Sequence, residues 1–239
     1  MMVMAMLVQR NQNIKIKNTI KSVTTFFLKK RIKKLDFTIV SSNCWGAKIY
    51  QKLGFPYNTP FIGMFFYAPC YMKLLGNIRE YLQSDISFAS KSKYDQANKA
   101  REISNNYYPI CLINGDIEIH FLHSQDATEC LNKWNRRLSR MNWNKLFFSF
   151  TDRDLCNKEI LKAFDCLPYK NKVCFTAKNY PDLKSCVQLP EFEDAPYVGD
   201  IYTNFDVSKK HFDIIDWLNG GSGKKMQRSY LKNILKFQW

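Results

Sequence analysis

The stretch Asp36-Phe37-Thr38-Ile39-Val40-Ser41-Ser42-Asn43-Cys44-Trp45-Gly46-Ala47-Lys48-Ile49-Tyr50-Gln51-Lys52-Leu53-Gly54 decides the reading of this chain. Residues 36–40 form a short apolar, β-branched run, and Ser41 to Asn43 supply capping side chains. Trp45, Ile49, Tyr50 and Leu53 then fall at helical spacing, and Gly54 closes the helix. The pattern is a strand that delivers Cys44 to the first turn of a helix. Unpaired N–H groups and the positive end of the helix dipole would favour a thiolate there and lower the pKa of Cys44. Free cysteine is also among the most buried residue types, so a packing role stands beside the reactive one.

Downstream, Phe55 to Phe61 is a proline-punctuated aromatic loop, of the kind that lines pockets, and Tyr71 to Leu82 reads as a helix. Ser84 to Asn106 is polar, a surface loop or exposed helix. Asn114-Gly115-Asp116 between the apolar runs 109–113 and 117–123 signals a hairpin. His123 falls at the end of the second run, where it serves as a catalyst or as a plain polar cap. Ser124 to Trp143 reads as a helix carrying Arg137 and Arg140 three residues apart on one face. These two hold a phosphate or carboxylate, or pair with Asp152 or Asp154 after the apolar strand 145–151. A helix over 156–165 and strands over 172–176 and 185–189 follow. The alternation predicts an α/β fold, with a mixed, mainly parallel sheet, helices on both faces and basic terminal helices.

Eight cysteines without a CxxC pair exclude a disulfide framework and a structural zinc site by pattern, and favour a reducing compartment. The apolar opening is interrupted by Arg10, so neither a signal peptide nor a membrane span is expected. No P-loop, GxGxxG, GxSxG or HExxH motif occurs. No cofactor is expected.

The net charge of +15 is localised. Residues 1–35 hold nine basic side chains and no acid, and five more follow Asp216, so the two ends carry fourteen of the fifteen net charges. Each end adds apolar residues at helical spacing: Ile16, Ile20, Val23 and Phe27 in the first, Met226, Tyr230, Ile234 and Phe237 in the second. Basic amphipathic helices of this type lie on anionic membrane surfaces, or pack on their own core or in a homo-oligomer; nucleic acid is not the expected partner. The expected organisation is a basic segment 1–35, a core 36–219, and a hinge with a basic tail over 220–239, in a protein peripheral to the cytoplasmic face of the membrane.

Ser42-Asn43-Cys44, Gly46, Tyr50, Leu53-Gly54, Tyr57 and Thr59-Pro60-Phe61 together resemble the signature of an uncharacterised bacterial family of exopolysaccharide or capsule biosynthesis proteins. The likeness continues in residues 123–127, 134–140, 164–176 and 217–219. The order of a cysteine after a strand and a histidine before an arginine-rich helix is also similar to a group of papain-like cysteine peptidases. That resemblance implies a Cys44–His123 dyad, with Cys44 as nucleophile and His123 as general base. Ala68-Pro69-Cys70-Tyr71 departs from the family pattern, which often has an acid there, so no acid takes a role at that position. On this reading the substrate is a sugar or lipid-linked glycan, held by Asn43, Tyr57, Thr59, Arg137, Arg140 and Asp152, with no metal. The competing readings are a scaffold without catalysis and a cysteine hydrolase.

Overall fold

A computed structural model describes residues 25–225. Residues 25–30 are helical. There follow β1 (Thr38–Ser41), α1 (Trp45–Leu53), α2 (Ala68–Gly76), α3 (Ile78–Tyr81), β2 (Ile86–Ala89), α4 (Asp95–Ile103), β3 (Ile110–Ile113), β4 (Ile117–His120) and α5 (Ala127–Leu138). The chain continues through β5 (Leu146–Thr151), α6 (Lys158–Cys166), β6 (Lys172–Thr176), β7 (Cys186–Gln188), α7 (Phe205–His211) and α8 (Ile214–Leu218). One sheet has the order β1-β5-β6-β7 and is parallel throughout. The other, β2-β3-β4, is antiparallel. The expected α/β class with a mainly parallel sheet is what the molecule has.

The near-continuous apolar strands of the parallel sheet follow from burial on both faces. Ile39, Phe147, Val173 and Phe175 point to one side and pack with Trp45 and Ile49 of α1, Phe212, and Trp217 of α8. Val40, Phe148, Phe150 and Cys174 point to the other, where they meet Tyr71 and Leu74 of α2, Phe164 of α6, and Ile117 and Ile119 of β4. The buried Tyr71 hydroxyl lies 3.0 Å from the carbonyls of both Val40 and Ser149, which pins α2 across β1 and β5. The Asn114-Gly115 hairpin forms as its sequence requires, with both residues at positive φ (50° and 72°).

The structure departs from the sequence reading at several boundaries. Residues 84–106 contain an edge strand, β2, as well as the helix α4. The helix expected over 71–82 begins at Ala68 and breaks at Asn77, whose φ of −149° is not helical. β4 ends at His120, so His123 sits in the following turn. α5 is capped by Asp126, which accepts the Glu129 N–H at 2.8 Å, rather than by Ser124. Asp126→Ala is expected to lower the unfolding free energy by about 1 kcal/mol, read as a reduced urea midpoint at constant slope.

The body extends past both expected core boundaries. Ile32 is buried, and the Asn219 side chain accepts the Lys33 N–H and donates to the Arg31 carbonyl, both at 2.8 Å. Where a hinge was expected, the Gly221 N–H bonds the Asp216 carbonyl and the Gly223 N–H its carboxylate, each at 2.9 Å. The amphipathic patterns over 1–24 and 226–239 lie outside the described residues. Among the described residues, no helix is long and apolar enough to cross a membrane.

Candidate functional site

Cys44 lies just past the carboxyl end of β1, the edge strand of the parallel sheet, and is the N-cap residue of α1. Carboxyl ends of parallel strands are where such sheets collect ligands. The cap is made by its neighbour: Asn43 Oδ1 accepts the Trp45 N–H at 3.1 Å, and Asn43 Nδ2 donates to Thr151 Oγ1 at 3.3 Å. Gly46 allows the first turn of α1 to lie flat on β1, since a Cβ there would stand 2.9 Å from the Ile39 side chain. The thiol is thereby fixed at the sheet edge and left partly accessible.

It opens into a cavity of about 270 Å³ lined by Cys44, Ala47, Gln51, Tyr57, Ile62, Gly63, His123, Ser124, Lys133, Arg137 and Tyr202. Four residues singled out in the sequence, Cys44, Tyr57, His123 and Arg137, therefore meet in one place from four separate parts of the chain. The segment Gly63-Met64 joins the thiol to the histidine. Cys44 Sγ lies 3.8 Å from the Met64 carbonyl, and the His123 N–H donates to the Gly63 carbonyl at 3.2 Å. Gly63 has φ of +76°, and a Cβ on it would press to 3.3 Å on the His123 Cβ, so both its conformation and its neighbour require glycine. Among the described residues, no hydrogen bond joins Cys44 to His123 directly. Catalytic hydrogen bonds are often long before substrate arrives.

The cavity has two chemically different walls. On one, Gln51 Nε2 donates to the Tyr57 hydroxyl at 3.1 Å, and the Tyr202 hydroxyl donates to Gln51 Oε1 at 3.2 Å, making a row of aromatic rings and polar groups. On the other stand Arg137 and Lys133, one helical turn apart on α5. The Arg137 guanidinium donates to the Ile62 carbonyl at 3.3 Å and lies 5.3 Å from the Tyr57 ring centre. Burial, and then the charge of Arg136, push its pKa down from the ordinary value. Bound anions would offset that loss of solvation.

The thiol pKa moves opposite to the sequence expectation. Burial pushes Cys44 up from its ordinary value, backbone hydrogen bonding at Gly63 and Met64 pulls against it, and Asp200 adds to the rise. Desolvation outweighs the backbone hydrogen bonding that favours a thiolate, so burial disfavours the charged form at Cys44.

Four other expected site residues have positions outside this cavity. Thr59 is fully buried and donates to the Ile39 carbonyl at 2.7 Å, fastening the aromatic loop to β1. Asn43 is occupied with the cap. Asp152 accepts the Ala177 and Val198 N–H groups at 2.7 and 2.8 Å, one on each oxygen, and burial raises its pKa. Arg140 is exposed beyond the end of α5, since the helix stops at Leu138 and the face shared with Arg137 does not extend that far. Gln51, Lys133 and Tyr202 were not singled out in the sequence. Gln51 was accessible to the same reasoning, because Cys44, Ala47 and Gln51 follow i, i+3, i+7 on one helical face. Lys133 and Arg137 likewise stand at i, i+4. Tyr202 lies in an irregular turn and gives no such signal.

An uncharacterized protein of Haemophilus influenzae is 34% identical over 213 residues, covering 86% of this chain and 97% of that protein. Residues 15–219 match the model of a family described as Domain of unknown function (DUF1919), so the match includes all of the parallel sheet and the cavity, and the chain belongs to that family.

Proposed function

We propose that this protein is a transferase of cell-surface polysaccharide assembly, acting at the cytoplasmic face of the membrane on an anionic sugar or lipid-linked glycan. The observation that carries the reading is the convergence of Cys44, His123, Arg137 and Tyr57 on one cavity at the carboxyl end of the parallel sheet. The polysaccharide context rests on the sequence resemblance around Cys44. Arg137 and Lys133 hold the negative charge of the donor, and the Tyr57–Gln51–Tyr202 wall faces the sugar. Such a wall offers apolar ring faces and amide and hydroxyl groups together, which suits a carbohydrate.

For an acyl donor, Cys44 sulfur bonds to the carbonyl carbon as its proton passes to His123, and the imidazolium then gives that proton to the departing group. An acceptor hydroxyl, losing its proton to His123, attacks the thioester, and the imidazolium returns a proton to the released sulfur. Because burial raises the Cys44 pKa and so disfavours a standing thiolate, His123 takes the role of base during attack.

The test is the rate of Cys44 alkylation against pH, followed by peptide mass spectrometry. With the folded pKa raised, the main inflection is expected above that of an ordinary thiol. Near neutral pH, His123→Ala is expected to slow labelling about tenfold, because the imidazole no longer takes the thiol proton; well above the thiol pKa the two proteins should label alike. Identical profiles would remove His123 from the chemistry. Labelling only in denaturant would make Cys44 a packing residue and the protein a binding module.

A further inference from the structure

We propose that the face formed by residues 25–31, the carboxyl end of α1, and α7 with α8 docks on a bilayer containing anionic lipid. This deepens the membrane part of the proposed function and is independent of the chemistry at Cys44. A groove of about 240 Å³ runs across this face. Leu28, Ile49, Phe212 and Ile215 form its floor, and Arg31, Lys52, Lys209 and Lys225 stand around it. Beside it Phe26 and Phe27 are 55% and 60% exposed, with the Lys30 ammonium 4.6 Å from the Phe26 ring centre. Cations around exposed aromatic rings and an apolar floor match both parts of a lipid surface, its charged headgroups and its acyl region.

The described parts of the two basic ends, residues 25–35 and 217–225, meet here, which their positions in the sequence do not disclose. Asn219 hydrogen-bonds the backbone at Arg31 and Lys33. The strand-like bridge from Phe212 to Lys224 brings the other end to the same groove. The chain therefore enters the described body at residue 25 and leaves it at residue 225 on one face. The 24 residues before that point carry four basic side chains and the 14 after it carry three, with no acid in either.

The acids on this face are already engaged. Asp213 accepts the N–H groups of Ile215 and Asp216, Asp216 accepts that of Gly223, and Asp206 pairs with Lys209 at 2.7 Å. A second copy of the chain would bring like charge against like charge, and nucleic acid would leave the apolar floor and the phenylalanines without a partner. α1 links this face to the cavity: Lys52 is at the groove and Cys44 at the other end of a nine-residue helix, about 13 Å long.

The experiment is co-sedimentation of the full-length chain with phosphatidylcholine vesicles, with and without phosphatidylserine. Binding is expected only to the anionic vesicles, weakening with salt. Lys30→Gln with Arg31→Gln should lower the partition coefficient about fivefold for each charge removed. Phe26→Ser with Phe27→Ser should also lower it at constant charge. Cys44 alkylation in solution should be unchanged in both variants, so failure of the docking surface is separable from failure of the chemistry. Absence of binding, equal binding to neutral vesicles, or wild-type partitioning of both double variants would overturn the proposal. So would a concentration-dependent dimer that takes the place of vesicle binding, or binding to duplex DNA unaffected by the phenylalanine changes.

Discussion

Trp45→Ala is expected to lower the unfolding free energy by about 3–5 kcal/mol, a large part of the 5–15 kcal/mol typical of a folded domain. The indole is fully buried where α1 meets the parallel sheet and the C-terminal helices. Its ring centre lies 4.9 Å from that of Phe175, 5.8 Å from Trp217, 6.1 Å from Phe205 and 6.2 Å from Phe212, and Nε1 donates to Ser208 Oγ at 2.9 Å. Truncation removes all of these contacts and opens a void between rigid aromatic neighbours that have little freedom to collapse into it. Trp45→Phe keeps a ring and loses the N–H donor, so it should cost about 1–2 kcal/mol, and the difference between the two variants separates packing from the hydrogen bond. Urea unfolding at constant slope is the measurement. Because Trp45 also seats the first turn of α1, Cys44 should become more rapidly alkylated in Trp45→Ala under native conditions. A cost below about 1 kcal/mol would mean that α1 is not held by this cluster.

Features encoded over a few residues were legible in the sequence. The strand before Ser41, the apolar stripe Trp45, Ile49, Tyr50, Leu53 and the Asn114-Gly115 turn each depend on local periodicity or backbone preference, and each forms. The convergence of Cys44 and His123 was suggested by a resemblance, not by spacing, and the cavity contains both. What the sequence concealed depends on where elements end and what covers them. Arg140 lost its place beside Arg137 because α5 stops at Leu138. Thr59 and Asp152 were expected to touch the substrate, yet both lie inside, satisfying backbone groups. The pKa of Cys44 follows the same rule. The helix start that would lower it is visible in sequence, whereas the burial that raises it depends on how distant segments pack around the thiol. β2 was hidden because an edge strand with partly exposed residues has no apolar run to announce it.

Inorganic phosphate is expected to slow alkylation of Cys44, and Arg137→Gln is expected to weaken that protection by about 10- to 150-fold in apparent phosphate affinity. The range is the ~1.5–3 kcal/mol carried by one hydrogen bond to a charged group. Arg137 is the cation best placed to deliver it. The guanidinium is half-buried, is held by the Ile62 carbonyl and the Tyr57 ring, and has its ordinary pKa depressed by burial, so an anion brought beside it regains the interaction that water no longer supplies. Lys133→Gln should have a smaller effect, because its ammonium already pairs with Glu129 on the same helix. Arg140→Gln should have none, since that side chain is exposed beyond the helix end and does not line the cavity. Chloride at matched ionic strength controls for general screening, which acts on all exposed cations alike. If Arg137→Gln and Arg140→Gln changed protection equally, phosphate would be acting from the surface field and not from within the cavity. If phosphate gave no protection over chloride, the cationic wall would have no anion to hold, and an uncharged substrate would take its place in the proposed reaction.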